Sequence, residues 1–233
     1  ALAANTTAGN NTAVGRVALD ANTTGTANVA VGTNALGTST TASENTAVGN
    51  AALFATTTGA DNVGIGASAL DSTTTGGENT AIGHQAGHNL TTGVNNTLLG
   101  HEAGTDAVAN VVASNGNIVI GNNYSASAKI KIDWTVTSDL RDKTEIESVP
   151  HGLNFVNQIT PIKYRFKTSR ENDTPNGVTR YGFKAQEILA LEGENPVLVD
   201  NGDTDNLKLT GAYLLPVLVN AIKELKAEIE LLK

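Results

Sequence analysis

Asn45-Thr46-Ala47-Val48-Gly49 (NTAVG) is the stretch from which the fold is read, because it recurs. Equivalent runs begin at Asn11 (NTAVG), Asn28 (NVAVG), Asn62 (NVGIG), Asn79 (NTAIG) and Asn96 (NTLLG), each 17 residues after the last. A pair follows each at fixed offset: Ala18-Leu19, Ala35-Leu36, Ala52-Leu53, Ala69-Leu70, Ala86-Gly87 and Ala103-Gly104. Thr-Thr-Gly turns end at Gly25, Gly59, Gly76 and Gly93. Composition alone would permit a disordered Thr/Gly/Asn linker, but a strict period does not suit one.

A short β-branched run bounded by Gly and Asn is a strand between turns, and a fixed repeat of such runs stacks successive coils in register. The expected fold is a β-solenoid or β-roll. Side chains alternate along a strand, so Thr12 and Val14 share one face while Ala13 takes the other. One face is then nearly all Ala or Gly, with Leu98 the exception. A face of small residues permits close approach of another backbone, and a thin coil with few large apolar groups is poorly stabilised alone. Association about an axis is expected to supply the missing burial. Six coils stacked about 4.8 Å apart would make a rod of roughly 30 Å. The units lack the regularly placed Asp of calcium-binding β-roll repeats. Their Asn-x-Ala-Val/Ile-Gly core resembles the left-handed β-roll of trimeric adhesin heads and phage fibres.

Composition separates this region from the rest. Of nine aromatic residues only Phe54 lies before position 120, and Arg16 is the only basic residue before Lys129. No cysteine is present, so a disulfide scaffold and a thiolate zinc site are both ruled out. A net charge of -8 argues against nonspecific binding to nucleic acid or to an anionic membrane. No apolar run approaches the ~20 residues of a spanning helix, and no basic region followed by an apolar one opens the chain. Because the chain begins in mid-pattern at Ala1-Leu2, we expect a piece of a longer fibrous protein.

His84 and His101 share one repeat position and are expected to stack on adjacent coils, with His88 near the first. Rings of imidazoles in a trimer would suit a metal or an anion, but polar surface is the plainer reading. No metal and no cofactor is assigned. The period breaks after Gly104, and a last related run, NIVIG, begins at Asn117, 21 residues after Asn96. Lys129 to Asp133 then alternates as a strand, and Trp134 to Thr137 is expected to continue extended. The expected organisation is a repeat region at 1–124, an extended junction at 125–137 and a third region at 138–233.

The third region is read as small and α+β. Pro150 opens a short helix with Leu153, Phe155, Val156 and Ile159 on its apolar side. Ile162, Tyr164 and Phe166 mark one face of a strand, and 171–177 reads as an exposed loop. Tyr181 to Phe183 is a second short strand, Ala185 to Leu191 a helix, and NGDTDN a hairpin loop between 197–199 and 207–209. From Leu215 the apolar positions run Leu215, Leu218, Ile222, Leu225, Ile229 and Leu232, spaced 3, 4, 3, 4 and 3. That spacing is a coiled-coil seam on a helix too short to be stable alone.

Ser138-Asp139-Leu140-Arg141-Asp142-Lys143, GFKAQE from Gly182 and YLLPVLVNAIKELKAEI from Tyr213 together resemble the endosialidase-type intramolecular chaperone family. Members sit at the C-terminus of phage tail spikes and fibres, with a relative in myelin regulatory factor. The resemblance implies assisted trimer folding, then self-cleavage just before the Ser, here between Thr137 and Ser138. It also implies three strands in the coil, whereas Ile at a with Leu at d favours two.

Taken by itself, Ser138-Asp139 would read as the cap of a short helix or turn. A Ser hydroxyl is a weak nucleophile that needs a base, and Lys143 is the candidate. Five residues place two side chains on poorly matched helix faces, so an irregular turn is expected. Ser138 would then attack the Thr137 carbonyl, and water would hydrolyse the ester. Asp139 is expected to orient the turn, by capping backbone N–H groups or by holding Lys143. Arg141 clamps a carboxylate or depresses the pKa of Lys143, and the two stay open. Gln186 and Glu187 are read as structural.

The resulting expectation is a trimeric β-solenoid shaft followed by a self-cleaving chaperone that ends in a coiled coil. It would be the C-terminal part of a phage-like tail fibre in the virion tail, assembled in the host cytoplasm, with the chaperone released. Its partners would be two further copies and a host cell-surface receptor, with a polysaccharide as the guess. The main rival is an adhesin whose C-terminal domain stays attached as a cap. A transcription-factor relative and a hydrolase of external substrates fit less well, since the acidic repeat lacks DNA-binding character and no acid pair or triad is visible.

Overall fold

The computed structural model describes residues 1–105, 109–122, 125, 138–167, 170–202, 204–205 and 207–233. The chain divides into two compact units, Ala1–Ser125 and Ala126–Lys233. The strand expected at Lys129 to Asp133 and its extension to Thr137 lie outside the described residues.

The first unit is a β-solenoid with one short strand per coil. Strands β1 (Thr12–Val14), β2 (Val29–Val31), β3 (Thr46–Val48), β4 (Val63–Ile65), β5 (Thr80–Ile82), β6 (Thr97–Leu99) and β7 (Ile118–Ile120) form one parallel sheet in chain order. Equivalent residues pair, as Thr46 with Val63 and Val48 with Ile65. The first and third residues of each strand face outward, and the middle one faces the interior. Ala30, Ala47, Ala81 and Leu98 are fully buried, whereas Val14 is 58% and Ile82 42% exposed.

The small-residue face is therefore turned into the coil, where it lies over the coil's own Leu column rather than over another chain. Leu19, Leu36, Leu53 and Leu70 are fully buried, each worth about 1.5–3 kcal/mol of transfer free energy. Small strand residues leave room for these side chains inside a thin coil. Where the column ends at Gly87, bulk comes from the sheet instead. A Cβ on Gly87 would lie 2.7 Å from Leu98 and 2.8 Å from Leu70, so Leu98 fills the space that a Leu at 87 would take. The exception at Leu98 and the loss of Leu at position 87 are one compensated change.

Glycine after each strand is a requirement of stacking. Gly66 has φ +133°, and a Cβ there would meet the Gly83 carbonyl oxygen at 2.4 Å. The coils also turn through left-handed non-glycine residues, among them Leu53 at φ 51° and Glu78 at φ 58°. That conformation costs ~1–2 kcal/mol per residue, which full burial of the Leu side chain offsets.

The opening Asn of each repeat forms a buried amide ladder. Asn62 Oδ1 accepts from the Asn79 backbone N–H (3.1 Å) and from Asn79 Nδ2 (3.0 Å). Asn62 Nδ2 donates to Asn45 Oδ1 (3.1 Å) and to the Gly76 carbonyl (2.9 Å). The pattern persists across the longer last coil, where the Asn117 N–H donates to Asn96 Oδ1 at 2.9 Å. Thr97 and Ile118 still pair, so the four added residues leave the sheet register unchanged.

In the second unit, α1 (Leu153–Gln158), β8 (Ile162–Lys167), β9 (Pro175–Gly182), α2 (Ala185–Glu192), β10 (Val199–Asp200), β11 (Lys208–Leu209) and α3 (Leu214–Leu231) follow in order. Phe155, Ile188, Leu198, Val199, Leu214 and Val217 form its core. Strands β10 and β11 are the expected hairpin. Strand β9 starts at Pro175, inside the segment read as loop. A register shift between Tyr164 and Phe166, with Gly177 at φ +70°, lets Asn-Gly enter the ladder as an irregularity. Helix α1 begins at Leu153 rather than at Pro150, because Glu224 Oε2 from α3 accepts the Leu153 N–H at 2.6 Å.

Replacing Asn62 by Ala removes the acceptor of the Asn79 backbone N–H and side-chain amide and the donor to Asn45 Oδ1 and the Gly76 carbonyl, and should destabilise the unit by about 2–3 kcal/mol or more. We expect the thermal midpoint of the full chain, followed by circular dichroism, to fall in Asn62→Ala and to stay in place in the exposed control Thr58→Ala. An unmoved midpoint in Asn62→Ala would remove the ladder from the account of stability.

Candidate functional site

Residues Ser138 to Lys143 build their own turn. Leu140–Asp142 is a single 3-10 turn with Asp139 as its N-cap. Asp139 Oδ1 accepts the Arg141 backbone N–H at 2.9 Å, and the Lys143 N–H donates to the Leu140 carbonyl at 3.2 Å. The Arg141 guanidinium folds back on the same carboxylate, with Nη2 at 2.6 Å from Oδ2 and Nε at 3.1 Å from Oδ1. A planar fork matched to a carboxylate is the geometry arginine favours.

Closing the chain at Asp139 brings its two flanks together. Lys143 Nζ stands 2.8 Å from Ser138 Oγ. An extended cap residue, one 3-10 turn and an extended Lys143 return the lysine to the serine, which five residues of α-helix would not do. Of the two roles open to Asp139, this geometry is the cap. Of the two open to Arg141, it is the carboxylate clamp. The hydrogen bond from Arg141, side chain first and backbone second, holds the Asp139 carboxyl below its ordinary value. The same pairing raises the Arg141 guanidinium.

Ser138, Leu140, Arg141, Asp142 and Lys143 are all exposed. In one chain the pair is a nucleophile and an amine in contact on an open surface. Thr137, whose carbonyl the serine would attack, lies outside the described residues. Trp134 does too.

Other residues of interest lie apart from this turn. Gln186 is exposed, and Glu187 accepts the Thr160 hydroxyl at 3.0 Å while its second oxygen is buried without a partner among the described residues. Two carboxylates that the sequence did not single out hold the unit together. Glu192 accepts the N–H groups of Val197 (2.8 Å), Leu198 (2.7 Å) and Val199 (3.1 Å), and Glu224 caps α1. Their partners are set by tertiary folding, so no local motif announces them.

On the solenoid, His84 and His101 stack with ring centroids 5.1 Å apart and planes 20° from parallel. His88 leaves this stack and pairs with Asp71 at 2.5 Å. Among the described residues no group of three or more His, Cys, Asp or Glu is arranged to hold a metal ion.

Helix α3 has two apolar faces. Leu214, Val217 and Ala221 are buried in the unit. The heptad positions point away: Leu215 is 65%, Ile222 66% and Leu232 86% exposed, with Leu218, Leu225 and Ile229 between 42% and 48%.

Compared with known proteins, residues 138–198 match the family model described as chaperone of endosialidase, Peptidase_S74. No curated protein and no solved structure matches the chain. The match covers about a quarter of the chain, begins at the serine that Lys143 contacts and runs through the α2 motif to Leu198. Residues 138–198 are thus similar to the family described as chaperone of endosialidase.

Proposed function

We propose that the chain is the C-terminal part of a homotrimeric, phage-like tail fibre or spike. Its C-terminal unit would bring three chains into register and then be released by cleavage between Thr137 and Ser138. The observation that carries this reading is the 2.8 Å contact of Lys143 Nζ with Ser138 Oγ at the first residue of the family match. The exposed heptad face of α3 supports the assembly half, since a second apolar stripe on a helix already packed on its other side calls for partners of the same kind.

In the reaction, neutral Lys143 accepts the hydroxyl proton as Ser138 Oγ attacks the carbonyl carbon of Thr137. The Thr137–Ser138 C–N bond breaks, the nitrogen takes the proton, and Thr137 is left as an ester on Oγ. Water cleaves that ester to a Thr137 carboxylate and a restored hydroxyl. An ammonium in water donates and cannot accept, and withdrawal from water is what favours the neutral amine. Lys143 is exposed in the single chain. Neighbouring chains that cover the turn would supply the desolvation, so cleavage follows assembly and happens once per chain. The Asp139–Arg141 clasp acts as a positioning device for Lys143. The released shaft would stand in the virion tail, after assembly in the host cytoplasm, and present its surface to a host cell-surface polysaccharide.

Intact mass under denaturing conditions tests the chemistry. We expect the wild type to give two fragments divided between Thr137 and Ser138, Ser138→Ala to stay whole, and Lys143→Ala to cleave ~10²–10⁴-fold more slowly. An uncut wild type that is still trimeric would retire the dyad in favour of an adhesin with a permanent cap. Leu225→Asp places a carboxylate in the α3 seam, a cost of several kcal/mol if the seam is buried between chains, and light scattering should then report monomers.

The clasp has its own signature. With the folded pKa of Asp139 lowered from 3.8, the pairing is complete above that value and is lost only as pH falls through the lower folded midpoint. Carbon-detected NMR of Asp139 should show a midpoint below 3.8, returning towards it in Arg141→Ala.

A further inference from the structure

The outward face of the solenoid sheet is unlike the rest of that unit. One side-chain column runs Val14, Val31, Val48, Ile65, Ile82 and Leu99, and the parallel column two residues earlier holds only Thr and Val until Ile118. No charged residue stands on either column across seven strands, and Val14, Ile65, Ile82, Ile118 and Ile120 are 38–72% exposed. A flat, uncharged, β-branched sheet face in a unit this rich in polar side chains is a surface made to be covered.

The flanks indicate what covers it. Just before the strands lie Glu44, Asp61 and Glu78, all exposed, and just after them, in the same coils, lie Asn50, Ala67 and His84. In these three coils the margin before the strand is acidic and the position two residues after it carries no acid. In a ring of copies whose axis runs along the stack, the margin where strands begin in one chain meets the margin where they end in the next, a heterologous contact that closes. Coil by coil, the acidic margin then faces Asn50, Ala67 and His84 rather than itself. At the level of β5, Glu78 of one copy meets His84 of its neighbour. The face is about 30 Å long and little more than one strand wide, on the order of 300 Å². That is short of the ~800 Å² per partner of a standard interface, so it holds copies only where another element sets their register.

We propose that this sheet face is the shaft's self-association surface, covered around a threefold axis by two further copies of the chain, with Glu78 of each copy against His84 of the next. The inference rests on the fibre reading above and assigns the shaft an interface that the α3 seam does not supply. It differs from an adhesive or sugar-binding face, which would stay open to solvent in the assembled fibre.

The chain has no cysteine, so site-directed cross-linking starts from a clean background. Positions 78 and 84 flank one strand and are ~20 Å apart along the chain, beyond the ~4–7 Å Cα separation that a disulfide spans. In the full chain, with stoichiometry first read by light scattering, Glu78→Cys/His84→Cys is oxidised and run on a non-reducing denaturing gel. We expect a closed three-chain species from the double variant and single chains from Glu78→Cys or His84→Cys alone. Three chains in solution with no double-specific cross-link would overturn the interface and leave the fibre reading standing. A cross-linked species limited to two chains would overturn the threefold closure. Monomers by light scattering would overturn the interface and the fibre reading together.

Discussion

The amide ladder of Asn11, Asn28, Asn45, Asn62, Asn79, Asn96 and Asn117 is the interaction on which the solenoid depends. Each inner side chain, from Asn28 to Asn96, binds the coil behind and the coil ahead, and each is satisfied only if the coils are stacked without slip. Register then places Leu over Leu, glycine against the next coil's carbonyl and one aliphatic column on the outside. A slip of one residue would bury Thr and Val where Ala must sit and leave the five buried amides, Asn28, Asn45, Asn62, Asn79 and Asn96, orphaned in the core. The same dependence makes the solenoid costly to nucleate. No coil has a hydrophobic centre of its own, and each contact rewards the chain only after its neighbour is in place.

The second unit meets the opposite problem. It has aromatic bulk and mixed charge, but its helices and strands are short, and single carboxylates tie them. Glu224 satisfies the start of a helix more than seventy residues upstream, and Glu192 gathers three consecutive N–H groups that open strand β10. The turn at Ser138 uses the same device on a smaller scale, with Asp139 serving both backbone and guanidinium. Its strength is local, which leaves Lys143 in contact with Ser138 and exposed.

Much of this was legible in the sequence, for reasons that differ by element. The strands, their alternation and their parallel order follow from a period long enough to count and too regular to slip. The exposed apolar stripe on α3 follows from spacing alone. Which solenoid face is inside did not follow, because small residues serve equally well against another chain or beneath the coil's own Leu column, and only the fixed offset of Leu19 and its equivalents decides it. The second face of α3, at Leu214, Val217 and Ala221, was hidden because its period overlaps that of the heptad. The start of α1 and the reach of β9 were misjudged where a distant carboxylate or an irregular ladder overrode local turn signals. At the turn that opens at Ser138, residue types and spacing pointed to Ser138 and Lys143, which the fold brings into contact. The division of labour between Asp139 and Arg141 needed coordinates, since both roles use the same atoms.

The last coil shows what the architecture tolerates. This coil is four residues longer, yet the amide ladder and the sheet pass through unchanged. Variation is thereby sorted by kind. Whole repeats can be gained or lost by recombination, each altering the shaft by one strand spacing of about 4.8 Å, because any coil offers the same two ends. A partial insertion is carried between strands where the stacking bonds are kept. Such an architecture can change its length in fixed steps while the surfaces that stack keep the same geometry.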